Sequence, residues 1–121
     1  MSNSDFSNNY ISIHSKNEFL QALNSIQNNN SDDVFVLIFY SPQCGACFNY
    51  INKHSAAVHH QFPNVNFFYV NVQLPGINEY LDSSNFRVTA VPTFILMKNG
   101  YVQETLPGFN QARLYSMIRK Y

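Results

Sequence analysis

Charge is what this sequence has least of. Asp, Glu, Lys and Arg make up 12% of its 121 residues, seven acidic against seven basic, for a net charge of zero. Such a chain offers no basic stripe to a nucleic-acid backbone and no polybasic patch to anionic lipid, so neither nucleic acid nor a membrane is expected as a partner. No apolar run approaches the length that spans a bilayer. The first nine residues, Met1 to Asn9, contain neither the basic nor the apolar stretch of a secretory leader, which sets the expectation of a cytoplasmic protein. Cysteine is nearly absent too: there are two, both in Cys44-Gly45-Ala46-Cys47. A single close pair is not the framework of a small secreted domain; in a reducing compartment it points to redox chemistry or to metal. Two thiolates need two further ligands to close a zinc site, and His14, His54, His59 and His60 lack the matching spacing. No metal and no bound cofactor are therefore expected. Nor is there a recognisable Cys–His hydrolase pattern or an aromatic RNA-binding signature.

Hydrophobic residues, by contrast, supply 45% of the chain, with eleven Phe and eight Tyr. That is enough to bury one core without covalent staples, and no linker or internal repeat divides it. The organisation expected is a flexible polar tail over residues 1–9 and a single domain over residues 10–121. Tyr10 to His14 alternates as a short strand. Ser15 and Glu18 form a capping box ahead of Phe19, Leu20, Leu23 and Ile26 at helical spacing. Val34 to Tyr40 is an uninterrupted apolar run, which predicts a strand buried on both faces. Past the cysteines, Phe48, Ile51, Ser55, Val58 and Phe62 recur at steps of three and four, predicting one helix that ends near Pro63. A strand over Val65 to Val72 and a short helix around Ile77, Tyr80 and Leu81 follow. Two strands, Thr93 to Met97 and Tyr101 to Leu106, flank the Asn99-Gly100 hairpin signal, and Ala112 to Lys120 closes as a helix. The order β-α-β-α-β-α-β-β-α predicts an α/β fold: a mixed central sheet of about five strands with helices on both faces.

The chemistry sits where the buried strand gives way to the next helix. A sulfur at a helix start lies near unpaired backbone N–H groups and the positive end of the dipole, both of which favour thiolate. Thiolate is the species that attacks a disulfide, and a thiol three residues on can resolve the resulting mixed disulfide. The motif thus reads as a thiol–disulfide exchange site.

Element order and motif together resemble the thioredoxin family over roughly residues 10–121. The matching residues are Phe39-Tyr40-Ser41-Pro42-Gln43-Cys44-Gly45-Ala46-Cys47, Val91-Pro92-Thr93, Lys98-Asn99-Gly100 and Gly108. The resemblance implies a redox-active Cys44–Cys47 disulfide, with Cys44 the exposed nucleophile and Cys47 the buried resolving thiol. It implies a cis peptide bond before Pro92 and pairing of the Val91 backbone with extended substrate. Tyr40, Gln43, Gly45, Ala46, Val91, Pro92 and Gly108 would shape the substrate groove. The partners implied are disulfide-containing proteins as substrates and a thioredoxin-reductase-like enzyme or glutathione as electron donor, with the protein acting as a reductant.

The chain also departs from the family's pattern. Ala46 stands where a proline is usual, Tyr40 where a tryptophan is, and Asn52 where a helix-kinking proline is. Ile38 occupies the position of the family's buried carboxylate and Tyr69 that of its lysine partner. No charged side chain occurs between Val34 and Asn52, and Lys53 lies about 13 Å along a helix from Cys44, so thiolate stabilisation falls to the helix terminus. These losses motivate an alternative reading, a redox-inactive adaptor or chaperone-like binding module. A protein-disulfide-isomerase-like domain is a further one, although that family usually places His at the position of Ala46.

Overall fold

The computed structural model describes residues 9–121. Ten elements follow one another: β1 (Tyr10–Ile13), α1 (Lys16–Gln27), β2 (Val34–Tyr40), α2 (Gly45–Lys53), α3 (Ser55–Gln61), β3 (Asn66–Asn71), α4 (Ile77–Asp82), β4 (Thr93–Lys98), β5 (Tyr101–Pro107) and α5 (Gln111–Lys120). The five strands form one sheet in the order β1-β3-β2-β4-β5. β1, β3 and β2 run parallel, while β4 is antiparallel to β2 and β5 to β4.

β2 lies at the centre, which explains its continuous apolar run. Leu37 and Phe39 point to one face and pack with Phe19, Leu23 and Ile26 of α1 and Ile77 and Leu81 of α4. Val36 and Ile38 point to the other and pack with Tyr50 of α2, Val58 of α3 and Leu114, Met117 and Ile118 of α5. Alternate residues of one strand therefore feed two separate cores, as covered sheets require. The mixed sheet, with helices on both faces, is the architecture expected from the sequence.

Local chemistry sets the element ends. The Glu18 N–H donates to Ser15 Oγ at 3.1 Å, and Glu18 Oε1 in turn accepts from the His14 N–H at 2.8 Å, so the capping box closes one residue further out than its usual form. Asn99 and Gly100 both take positive φ, 55° and 85°, the pair of values a two-residue hairpin turn needs. Asn9, assigned above to the polar tail, is tied down: its amide donates to the carbonyls of His59, Phe62 and Val65 at 3.3, 2.8 and 3.0 Å. The rest of the tail, residues 1–8, lies outside the described residues.

The helix after the cysteines differs from the expectation in two respects. It is two helices, broken at His54, whose φ of −127° departs from helical geometry. Just there the Ser55 hydroxyl bonds back to the Ile51 carbonyl at 2.6 Å, a contact that bends helices. Its buried stripe is also out of phase with the one read from sequence. Cys47 and Tyr50 face the core, whereas Phe48 is 68% exposed.

Candidate active site

Cys44 is the N-cap of α2. Its φ and ψ of −87° and 113° are extended, and its Sγ accepts the N–H of Cys47 at 3.1 Å. The sulfur is thereby one of the few groups in contact with an otherwise unpaired helix N–H, the placement that favours negative charge. The two cysteines are joined as a disulfide with Cα atoms 5.2 Å apart. Cys44 is partly exposed, while Cys47, one turn in, is 1% exposed. One sulfur can meet an incoming substrate and the other can meet only its neighbour.

Opposite the motif stands the loop leading into β4. The Val91–Pro92 peptide bond is cis. Val91 O lies 3.5 Å from Cys44 Sγ. A disulfide sulfur has no proton to give, so this contact becomes a hydrogen bond only when Cys44 is a thiol. Pro92 is buried and half-exposed Val91 stands beside the sulfur. The loop is held from two sides: the Gly108 N–H donates to Pro92 O at 2.7 Å, and the buried Thr93 hydroxyl donates to the Ala90 carbonyl. Gln43, Gly45 and Ala46 are all exposed around Cys44. A Cβ added at Gly45 or Gly108 would meet nothing within 4 Å, so the ground beside the sulfur is open.

Tyr40 lines a cavity of about 630 Å³ on the helix α2–α3 side, together with Tyr10, Ser12, Ile51, His59 and Tyr69. Ile38 and Tyr69, the two positions where the resemblance led one to expect a charged pair, are cross-strand partners on β2 and β3. What fills the space is neutral. Tyr50 OH and Tyr69 OH lie 3.1 Å apart, and His59 Nε2 lies 2.7 Å from Tyr69 OH. His59 also stacks on Tyr10, with ring centroids 4.3 Å apart. Burial pushes the Tyr50 phenol up to about 12 and raises Tyr69 as well, while it pushes His59 down to about 4. At neutral pH, then, all three are uncharged, and no charge sits in the core under the redox helix.

Sequence reasoning missed this tyrosine–histidine chain, which joins residues 19 and 10 positions apart. A possible signal was the choice of Tyr at 50 and 69 within otherwise hydrocarbon stripes, since a buried phenol requires a partner. His60 is exposed, and among the described residues no group of three or more His, Cys, Asp or Glu is placed to hold a metal ion.

A family model described as Thioredoxin matches residues 10–120. Over 113 residues the chain is 26% identical to thioredoxin O1, mitochondrial, of Arabidopsis thaliana, covering 93% of this chain and 56% of that protein. Over 115 residues it is 30% identical to thioredoxin-3, mitochondrial, of Saccharomyces cerevisiae, covering 94% of this chain and 84% of that one. The chain thus spans little more than half the length of the plant relative. Among solved structures, the thioredoxin NaTrxh of Nicotiana alata superposes with a TM-score of 0.78 at 27% identity, covering 93% of this chain and 91% of that one.

Proposed function

Since the chain belongs to the thioredoxin family and is a thioredoxin-like thiol–disulfide oxidoreductase, we propose that it reduces protein disulfides through Cys44 and Cys47. The observation that carries this reading is the asymmetry of the pair: a partly exposed Cys44 at a helix N-terminus bonded to a buried Cys47. In the reduced protein, Cys44 thiolate attacks one sulfur of a substrate disulfide. An S–S bond forms between Cys44 and the substrate, and the other substrate sulfur leaves as thiolate and takes a proton from solvent. Cys47 then loses its proton and attacks Cys44 Sγ. The mixed disulfide breaks, the second substrate thiolate leaves, and the Cys44–Cys47 disulfide of this structure remains. Two electrons have passed to the substrate, and a thioredoxin-reductase-like enzyme or glutathione supplies two more to reduce the Cys44–Cys47 disulfide again.

Val91, whose carbonyl lies beside Cys44, is proposed to pair with substrate backbone. Pro92, Gly108, Gln43, Gly45 and Ala46 shape the ground around it. Tyr40, which also lines the cavity beside α2 and α3, is proposed to shape the groove with them. The chemistry asks for a reducing compartment, and the cytoplasm is proposed; the two relatives named above are mitochondrial by name. Among the described residues no helix is long and apolar enough to cross a membrane.

Insulin-disulfide reduction with dithiothreitol as recycling reductant tests the reading. Wild-type protein should turn over, and Cys44→Ser should lose at least about a thousandfold in rate. Cys47→Ser should accumulate a covalent mixed disulfide visible by mass. A wild-type protein that folds but gives no turnover would overturn the proposal.

A further inference from the structure

The cavity of about 630 Å³ on the α2–α3 side is not the ground around the sulfur pair. Neither cysteine is among its lining residues, nor are Val91, Pro92 and Gly108. Its walls come from β1, the end of β2, α2, α3 and β3. The volume falls within the range of about 300–1,000 Å³ in which proteins hold small molecules. The chemistry of the lining then decides which small molecule fits. One feature is an aromatic corner without charge. Tyr10 and His59 stack with their planes 14° apart, and Tyr69 stands at 83° to Tyr10 and at 90° to His59. Parallel and perpendicular ring surfaces in one corner suit a flat ring, which gains from stacked and edge-on contacts alike. Among the described lining residues there is no Asp, Glu, Lys or Arg, and burial keeps His59 neutral at pH 7. A charged ligand would lose water here and find no counter-ion.

The other feature is that three polar side chains of the lining have already spent their hydrogens within the protein. Ser55 Oγ donates to the Ile51 carbonyl at 2.6 Å. The Asn9 amide N–H groups go to the carbonyls of His59, Phe62 and Val65. Tyr69 has one hydroxyl hydrogen, which goes either to His59 Nε2 or to Tyr50 OH. What each of the three still offers is an oxygen lone pair. A lining rich in acceptors calls for a ligand that donates.

We propose that this cavity is a binding site for a small uncharged aromatic molecule carrying an N–H or O–H donor, of the indole or phenol class. The ring packs into the corner made by Tyr10, His59 and Tyr69, and the donor meets an oxygen of Tyr69, Ser55 or Asn9. The inference goes beyond the oxidoreductase reading and stands without it, since neither sulfur takes part in holding the ligand.

The test titrates the full chain at pH 7 with three probes and follows its backbone amide signals by NMR. Indole should bind saturably with a Kd of about 1 mM or tighter, a modest affinity in keeping with its few atoms. The amides that shift should be those of the lining, Tyr10, Ser12, Ser55, Ala56, His59 and Tyr69. 1-Methylindole keeps the ring and loses the donor, and should bind at least about fivefold more weakly. Indole-2-carboxylate keeps both and adds a negative charge, and should bind at least about tenfold more weakly. Two variants fill the cavity from exposed positions on different elements, Ala56→Phe on α3 and Ser12→Phe on β1. Each should weaken indole binding at least about tenfold while insulin-disulfide reduction stays at the wild-type rate. The amide spectrum of each variant shows whether it is folded, and the three-probe comparison on the wild type needs no variant at all. No saturable shift up to about 5 mM indole, shifts centred on Cys44 and Val91, equal affinity for the three probes, or full binding in a folded filled variant would each overturn the proposal. A wild-type protein that binds indole in the cavity but reduces no insulin leaves this site standing and sinks only the oxidoreductase reading.

Discussion

The two faces of the central sheet bury comparable numbers of large side chains but solve different problems. On the α1 and α4 face the buried residues are all apolar, from Phe19, Leu23 and Ile26 to Leu37, Phe39, Ile95 and Met97. On the α2, α3 and α5 face the aliphatic residues Val36, Ile38, Leu96 and Leu114 surround a polar seam, Tyr50–Tyr69–His59, that runs from the buried side of the redox helix to a cavity open to solvent. The first face is held by volume alone. The second must fill its volume and also satisfy three polar groups in one consistent order. Either Tyr50 donates to Tyr69 and Tyr69 to Nε2, or Nε2 donates to Tyr69 and Tyr69 to Tyr50. It does so without charge, so the polar seam brings no buried ion to the side of the redox helix that faces the core.

That difference can be broken by substitution. Phe19→Ala on the hydrocarbon face should give the largest effect, a loss of about 3–5 kcal/mol in chemical denaturation, because a fully buried ring is removed and the cavity collapses only in part. Disulfide reduction at a temperature where the variant is folded should be unchanged. Tyr69→Phe should cost less, about 1–3 kcal/mol, since little volume is lost but Tyr50 OH is left buried without its partner. The control is the Tyr50→Phe, Tyr69→Phe double variant. Removing both hydroxyls should restore part of the stability lost in Tyr69→Phe, and a doubly substituted protein that loses the sum of the single effects would contradict the seam.

The smallest effect sharpens the comparison through pH. His59 is pushed down to about 4 by burial, against an ordinary value near 6.5. The unfolded chain therefore takes up this proton first as pH falls. The stability that neutral His59 contributes is complete above about 6.5 and is lost as pH drops towards 4. Solvent in the adjoining cavity screens the group and keeps the effect modest. His59→Phe lacks the step, so the gap in Tm between wild type and variant should be widest near neutral pH and should narrow by pH 4. A gap that is constant with pH would mean His59 is already solvated in the folded protein.

Much of this could be read before any coordinates. The strand over 34–40, the Ser15–Glu18 cap, the Asn99-Gly100 turn and the cysteine pair at a helix start are local patterns, each with a single favourable backbone solution. The misreadings occur where two local solutions compete. Cys47 and Phe48 are adjacent and both apolar, so a stripe through 48, 51, 55, 58 and 62 fits three-and-four spacing as well as one through 47, 50 and 58. Past the break at His54 the two stripes meet again at Val58, the buried residue of α3. Nothing in the spacing says which of the two neighbours turns inward.

The sequence by itself determined the order of elements, the two-sided burial of β2 and the identity of the reacting sulfurs, because these follow from residue type and short spacing. Only the tertiary structure decided that Phe48 faces out, that Tyr40 lines a cavity with residues of β1, α2, α3 and β3, and that Tyr50, Tyr69 and His59 form one neutral chain. The physical reason is that each of these depends on which side chains from distant strands and helices compete for the same space. That competition is settled by packing and by hydrogen-bond satisfaction across the sheet, which no local pattern encodes.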